Sequence, residues 1–210
     1  MPPSALTVDT AHYSRRERDI AKRFVTAGRR RVQNRVAQAS LDWRTVERIK
    51  TKFKIPLAIK GIATAEDAAR SRSSTGSTGS TCPTMAGGSS ITAAARIDVL
   101  PEVVDAVAGR ARIIVDGSIC RGTDIVKAIA TGADLVGIGR MQCFALACGG
   151  QSGVLRLLEL LEDEVQRCLG LLGAASFADL DRSYLHAAAA VNLPHVLSAF
   201  PLLKIDDYRY

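Results

Sequence analysis

Asp9, Lys60 and Asp116 each close a short apolar run: ALTVD at 5–9, IPLAIKG at 55–61 and ARIIVDG at 111–117. A fourth run, ADLVGIGR at 133–140, closes on Gly139 and Arg140. An ionised side chain is costly to bury alone, so a buried strand that ends on one delivers it to a partner or a ligand. Lys60 in that position calls for an anion. Gly139 and Arg140 stand before a helical pattern, where close backbone approach, exposed N–H groups, the helix dipole and a forked guanidinium together suit a phosphate. The loop DGSICRG, at 116–122, leaves the preceding strand and faces the same ligand in this reading.

Those residues need a frame. The runs are almost continuously apolar, which marks parallel strands covered on both faces, and they alternate with helical segments. SRRERDIAKRF at 14–24 reads as a charged helix, and residues 26–40 as a loop. LDWRTVERIKTKF at 41–53 carries apolar residues at helical spacing behind Asp42. Thr64 with Asp67 forms a capping-box pattern. VLPEVVDAVAG at 99–109 is expected to be a helix with Pro101 in its first turn and Gly109 at its close. GTDIVKAIATG and GVLRLLELLEDEVQRCLGLLG read as two more helices, followed by helix-like SFADLDRSYL. Charged residues at successive strand exits are the arrangement of a β/α barrel, whose chemistry lies on the loops leaving the strands. The fold class expected is therefore α/β.

Composition narrows the function. The 210 residues are 47% hydrophobic and 23% charged, enough apolar content for one core. No uninterrupted apolar run approaches the ~20 residues of a membrane span. The first ten residues lack the basic and apolar regions of a secretory signal. Cys82, Cys120, Cys143, Cys148 and Cys168 show no metal or redox spacing and are expected to be reduced and buried, so the location expected is cytoplasmic. The net charge of +7 is concentrated in the first fifty-odd residues. No aromatic platform or binding motif accompanies it, so no nucleic-acid partner is expected, although a basic interaction module is one alternative.

The ordered set LTVDT with RRE, PLAIKGI, and IIVDGSICRGTDIVKAIATGADLVGIGR resembles the FMN-dependent α-hydroxy-acid oxidases and dehydrogenases, the glycolate oxidase, lactate oxidase and mandelate dehydrogenase group. The resemblance covers most of residues 5–180. It implies a (β/α)8 barrel, FMN as cofactor, and oxidation of a small (S)-2-hydroxy acid to the 2-oxo acid. It also implies roles. Thr7 would contact the flavin and Asp9 would orient the catalytic base. Arg16 would bind the substrate carboxylate, and Lys60 would stabilise the reduced flavin. Asp116, Gly117, Ser118, Ile119 and Cys120 would line the ribityl and phosphate region, with Gly139 and Arg140 on the phosphate. Many members have two arginines where this chain has Cys120 and Arg121, a departure that removes one phosphate donor. Intact members are often homo-tetramers. A full barrel takes about 250 residues. The resemblance places the start of this chain at mid-barrel, so residues 1–210 are expected to form one partial domain with a tail at 184–210 and unpaired strand edges.

The family's base and second substrate arginine lie in a motif S-N-H-G-G-R-Q-L-D, which no part of the chain matches. His12, His186 and His195 all lie elsewhere. At the place of that motif stands RSRSSTGSTGSTCPTMAGGSSITAAAR, residues 70–96, small and polar where a strand is due. Read one base out of phase, Ser73 through Arg96 can encode L-E-H-G-V-D-W-I-Y-V-S-N-H-G-G-R-Q-L-D-H-G-R-G-S, an apolar strand ending in the motif. Two readings stand: a frame-shifted catalytic strand, with activity impaired, or a native Ser/Gly/Thr-rich loop. A flavin-independent phosphate-binding barrel is the alternative to the flavoenzyme reading.

Overall fold

The computed structural model describes residues 4–8, 40–53, 56–73, 81–85 and 96–187. Asp9, His12, Arg16 and the arginine-dense segment expected to be helical lie outside the described residues, as do His195 and most of the tail. The chain divides into two compact units, Met1–Val115 and Asp116–Tyr210.

In the first unit the strands run parallel in the order β1 (Ser4–Thr7), β2 (Leu57–Lys60), β3 (Thr81–Met85) and β4 (Ile114–Asp116), whose last residue opens the second unit. The register sets Thr7 against Lys60 and Lys60 against Thr84, so the carboxyl ends of three strands finish abreast. Val8 N–H donates to the Lys60 carbonyl at 2.8 Å and extends the β1–β2 ladder by one residue. Helix α1 (Trp43–Lys52) starts where expected: Asp42 Oδ1 accepts from the N–H and hydroxyl of Thr45 at 2.8 and 2.9 Å. Helix α2 (Ala65–Ser73) starts behind Thr64, whose hydroxyl oxygen accepts from Asp67 N–H at 3.2 Å. A carboxylate from the next helix, Glu102 Oε1, accepts from Ala65 N–H at 3.1 Å.

Helix α3 (Arg96–Val107) begins earlier than expected, which moves Pro101 from the first turn to the interior. The proline removes one donor from the ladder, yet the helix continues on Leu100, Val103 and Val107, which are fully buried. Burial of the apolar face outweighs the single lost bond. Gly109, at φ +71°, follows the end of α3, where Arg110 Nε donates to the Val107 carbonyl at 2.9 Å. The core of this unit is formed by Leu57 and Ile59 of β2, Ile62, Ala68, the α3 residues, Ile113 and Val115.

The second unit holds α4 (Gly122–Thr131), β5 (Leu135–Gly137) and α5 (Arg140–Leu172), then two 3₁₀ turns, Phe177–Asp179 and Arg182–Tyr184. Gly132, at φ +118°, ends α4. Strands β4 and β5 are shorter than the apolar runs that contain them. Helix α5 starts thirteen residues before the expected GVLRLL segment, and non-helical backbone at Gly149 and Gly150 breaks it in two. By length and composition alone α5 could cross a membrane. Arg156, Glu159, Glu162, Asp163, Glu164 and Arg167 punctuate its second half, each costly in hydrocarbon. That half packs on α4 through Leu157 and Leu161.

The cysteines depart from expectation. Cys143 and Cys148 are exposed, and Cys120 and Cys168 are only half-buried. Cys143, Cys148 and Cys168 fall on α5 and Cys120 on the loop before α4, where an apolar sequence context did not translate into full burial.

Candidate anion-binding site

Two loops of the second unit form the site. After β4 the backbone turns sharply, with Gly117 at φ +98° and Ser118 at φ +58°. Glycine occupies that left-handed region freely, whereas Ser118 is strained there. Asp124, in the first turn of α4, then reaches back: its Oδ2 accepts from the N–H groups of Cys120 at 3.0 Å and Arg121 at 2.9 Å. The loop is thereby tied to the helix it feeds.

The second loop runs from β5 into α5. Gly139 is the residue before the helix, its φ and ψ are −102° and −86°, and no side chain caps the N–H groups behind it. Arg140 is the first helical residue and is exposed. Residues 116–120 and Gly139, Arg140, Met141 and Phe144 together line one open cavity of about 210 Å³. A Cβ built on Gly139 would meet nothing within 4 Å. The missing side chain therefore relieves no clash; it leaves the cavity wall open at the mouth of a helix.

The donor set suits an anion: an uncapped helix N-terminus, a guanidinium at its first residue, and a glycine between them and the strand. A phosphate group fits this chemistry, and the pocket's apolar members, Ile119, Met141 and Phe144, would shield a flanking organic moiety. Burial pushes the Cys120 thiol up, Asp124 adds to that, and Arg140 opposes it. That direction disfavours the thiolate at the cavity wall.

The expected residues divide as follows. Asp116, Gly117, Ser118, Ile119, Cys120, Gly139 and Arg140 come together around the one cavity. Thr7 and Lys60 are brought side by side at the ends of β1 and β2, both half-buried. Asp9 and Arg16 lie outside the described residues. Arg121, read as the surviving member of an arginine pair, does not line the cavity; its Nη2 lies 2.8 Å from Glu164 Oε1.

Sequence reasoning missed three contributors. Met141 and Phe144 were missed because the helix expected after Arg140 was not assigned a face, and only helical spacing from Arg140 could have placed them on one wall. Glu164 gave no signal, standing 42 residues from its partner: its Oε2 accepts from Gly122 N–H at 2.7 Å and supplies the α4 N-terminus with a carboxylate. That bond, with the Arg121 guanidinium, holds the Glu164 carboxyl below its ordinary range.

Comparison with known proteins gives the chain a family. A family model described as FMN-dependent dehydrogenase matches residues 4–187. An L-lactate oxidase of Nostoc sp. is 40% identical over 147 residues, covering 70% of this chain and 40% of that protein. Glycolate oxidase 3 of Arabidopsis thaliana is 34% identical over 218 residues, covering 93% and 58%. Among solved structures, a mandelate oxidase variant with 4-Br-2-hydroxy-methylphenylacetate superposes with a TM-score of 0.73 at 34% identity, over 84% of this chain and 53% of that one. The chain spans about half the length of the relatives it matches.

Proposed function

The chain belongs to the FMN-dependent dehydrogenase family, and on that premise we propose that it derives from an FMN-dependent oxidoreductase of small (S)-2-hydroxy acids, as part of a (β/α)8 barrel. The carrying observation is the cavity itself, where the loop at 116–120 and the Gly139 and Arg140 entry to α5 converge on one anion-sized space. Relatives named for lactate, glycolate and mandelate support the substrate class.

In this reading Arg140 and the N–H groups at the head of α5 hold the FMN phosphate, and residues 116–120 flank the ribityl chain. Lys60, at the end of β2, is assigned to the flavin ring, where a fixed ammonium favours the anionic reduced form. Thr7, its neighbour in register, is assigned a flavin contact. Asp9 orients a base and Arg16 clamps the substrate carboxylate. When bound, FMN supplies the acceptor for the hydride equivalent lost from the 2-carbon, while the hydroxyl proton passes to a base on the protein. The protein's share is therefore orientation, charge and proton removal.

That base is what this chain lacks, and turnover is accordingly impaired. Frame-shifting of residues 70–96 is supported by β3. The strand stands between β2 and β4 and pairs with both, yet its central residue is Pro83, opposite Ile59. Proline has no N–H to give an interior ladder and is ordinarily confined to edges. The neighbours demand a strand that these residues are poorly suited to form. Resequencing of the coding DNA, read in all three frames, tests this point.

Two measurements on the purified chain test the whole. Titration with FMN, followed by flavin fluorescence, should show saturable binding that inorganic phosphate competes away; absence of binding sinks the flavoprotein reading. Turnover with lactate, glycolate and mandelate should be very low, and vigorous turnover would remove the impaired-base reading while leaving the flavin assignment in place.

A further inference from the structure

Glu164 lies outside the cavity, yet the loop that lines one wall is fastened to it. Residues 116–120 form that wall, and Asp124 Oδ2 ties the N–H groups of Cys120 and Arg121 to the first turn of α4. The turn is in turn held from α5. Gly122 N–H donates to Glu164 Oε2 at 2.7 Å, and Arg121 Nη2 lies 2.8 Å from Glu164 Oε1. Both carboxylate oxygens are thus engaged, on two successive residues at the end of the loop. The Glu164 side chain is 29% exposed against 70% for Arg121, so the bond to Gly122 is the better shielded of the two and carries the attachment.

The opposite wall belongs to the same helix, on the far side of a break. Arg140, Met141 and Phe144 precede the non-helical Gly149 and Gly150, and Glu164 follows them. A Cβ built on Gly153 would collide with the Ala145 carbonyl oxygen, so the first turn after the break rests on backbone before it. Only glycine permits so close an approach. Contact therefore runs from residues 116–120 through Gly122, Glu164, Gly153 and Ala145 to the piece that begins at Arg140, and the spacing of the two walls depends on it.

The first unit repeats the device. Glu102 of α3 accepts from Ala65 N–H at 3.1 Å, at the start of the helix that follows Lys60. In both units the carboxylate comes from the next helix, 37 or 42 residues along the chain, and pins the helix leaving a strand whose last residue is assigned to the flavin. Binding groups keep their geometry only when their own supports are fixed.

We propose that Glu164 is a positioning residue for FMN: without touching the flavin, it holds the loop at 116–122 at the spacing from Arg140 that the phosphate requires. This role rests on the flavin reading of the cavity.

Two full-length variants separate reach from charge. Glu164→Asp keeps the charge but is one methylene too short for Gly122. Glu164→Gln gives up the charge but keeps an acceptor at the same reach. FMN titration followed by flavin fluorescence should show affinity about 10-fold weaker for Glu164→Asp, the worth of one hydrogen bond, and within about 3-fold of wild type for Glu164→Gln. Glu159→Gln, in an exposed pair on the same helix, should change nothing. In the flavin-free chain, hydrogen exchange read by mass spectrometry should quicken about 10-fold over 116–124 in Glu164→Asp, while 125–131 and 154–161 keep their wild-type rates. A merely structural role would quicken all three together. A wild-type chain that binds no FMN removes the flavin reading and this role with it. FMN held equally by wild type and Glu164→Asp, a Gln variant as weak as the Asp one, or exchange quickened alike throughout overturns the positioning role and leaves the flavin reading standing.

Discussion

Gly122 and Glu164 are locked together in two ways. The Gly122 N–H donates to Glu164 Oε2 at 2.7 Å, and a Cβ built on Gly122 would come within 2.5 Å of Glu164 Cβ and 2.7 Å of the Val165 nitrogen. The start of α4 therefore lies directly on the second half of α5, and the loop carrying residues 116–120 is anchored there through the helix it feeds.

Gly122→Ala should destabilise the second unit by about 1–3 kcal/mol, the usual cost of forcing a methyl into a closed contact. Backbone atoms lie in the way, so rotamer adjustment cannot relieve it. Thermal unfolding followed by circular dichroism would register a lower midpoint, and an unchanged one would contradict the packing.

Glu164→Gln keeps the shape and removes the charge. The Glu164 carboxyl is held below its ordinary value of 4.5, chiefly by the Gly122 N–H. A depressed folded-state value means its contribution is present above about pH 4.5 and disappears as pH falls through the folded value. The variant should be less stable than wild type by about 1 kcal/mol near neutrality, with the gap closing in acid. Denaturant melts across that range provide the check. The exposed bridge to Arg121 adds little of its own.

Ser118 carries a side chain at φ +58°. Ser118→Gly removes the steric penalty, roughly 1 kcal/mol, although the freer unfolded chain returns part of it. Net stabilisation of a few tenths of a kcal/mol is expected, and any loss of stability would show that the serine hydroxyl is needed in the loop.

Gly139→Val and Arg140→Gln separate binding from folding. Neither residue is packed, and a Cβ at 139 meets nothing within 4 Å, so unfolding midpoints should hardly move. FMN affinity should fall about 10–100-fold for Arg140→Gln, the worth of a charge-assisted bond, and at least as far for the valine, which fills the cavity wall. Affinity unchanged in both would detach the phosphate from this cavity.

Much of this was legible in the chain. IPLAIKG and ARIIVDG contained their strands, ALTVD held all of β1 but its first residue, and Asp42 and Thr64 marked helix starts that the structure keeps. The cavity formed by residues 116–120 with Gly139 and Arg140 was legible because glycine before arginine before a helix is local chemistry. The early start of α3 and the extent of the first half of α5 were not, because Pro101 was read as a first-turn residue and the long helix was read from Gly153. A proline or glycine raises the local cost of a helix without forbidding it.

Sequence alone determined that Lys60 and Asp116 end strands and that Asp42 and Thr64 cap helices, since each rests on neighbours within a few residues. Tertiary structure alone decided that Arg121 turns to Glu164 and away from the cavity, that Met141 and Phe144 line it, and that a proline-bearing segment stands as β3 between two other strands. Those outcomes depend on which distant groups arrive to share a space, and packing, unlike propensity, is settled only when both partners are in place.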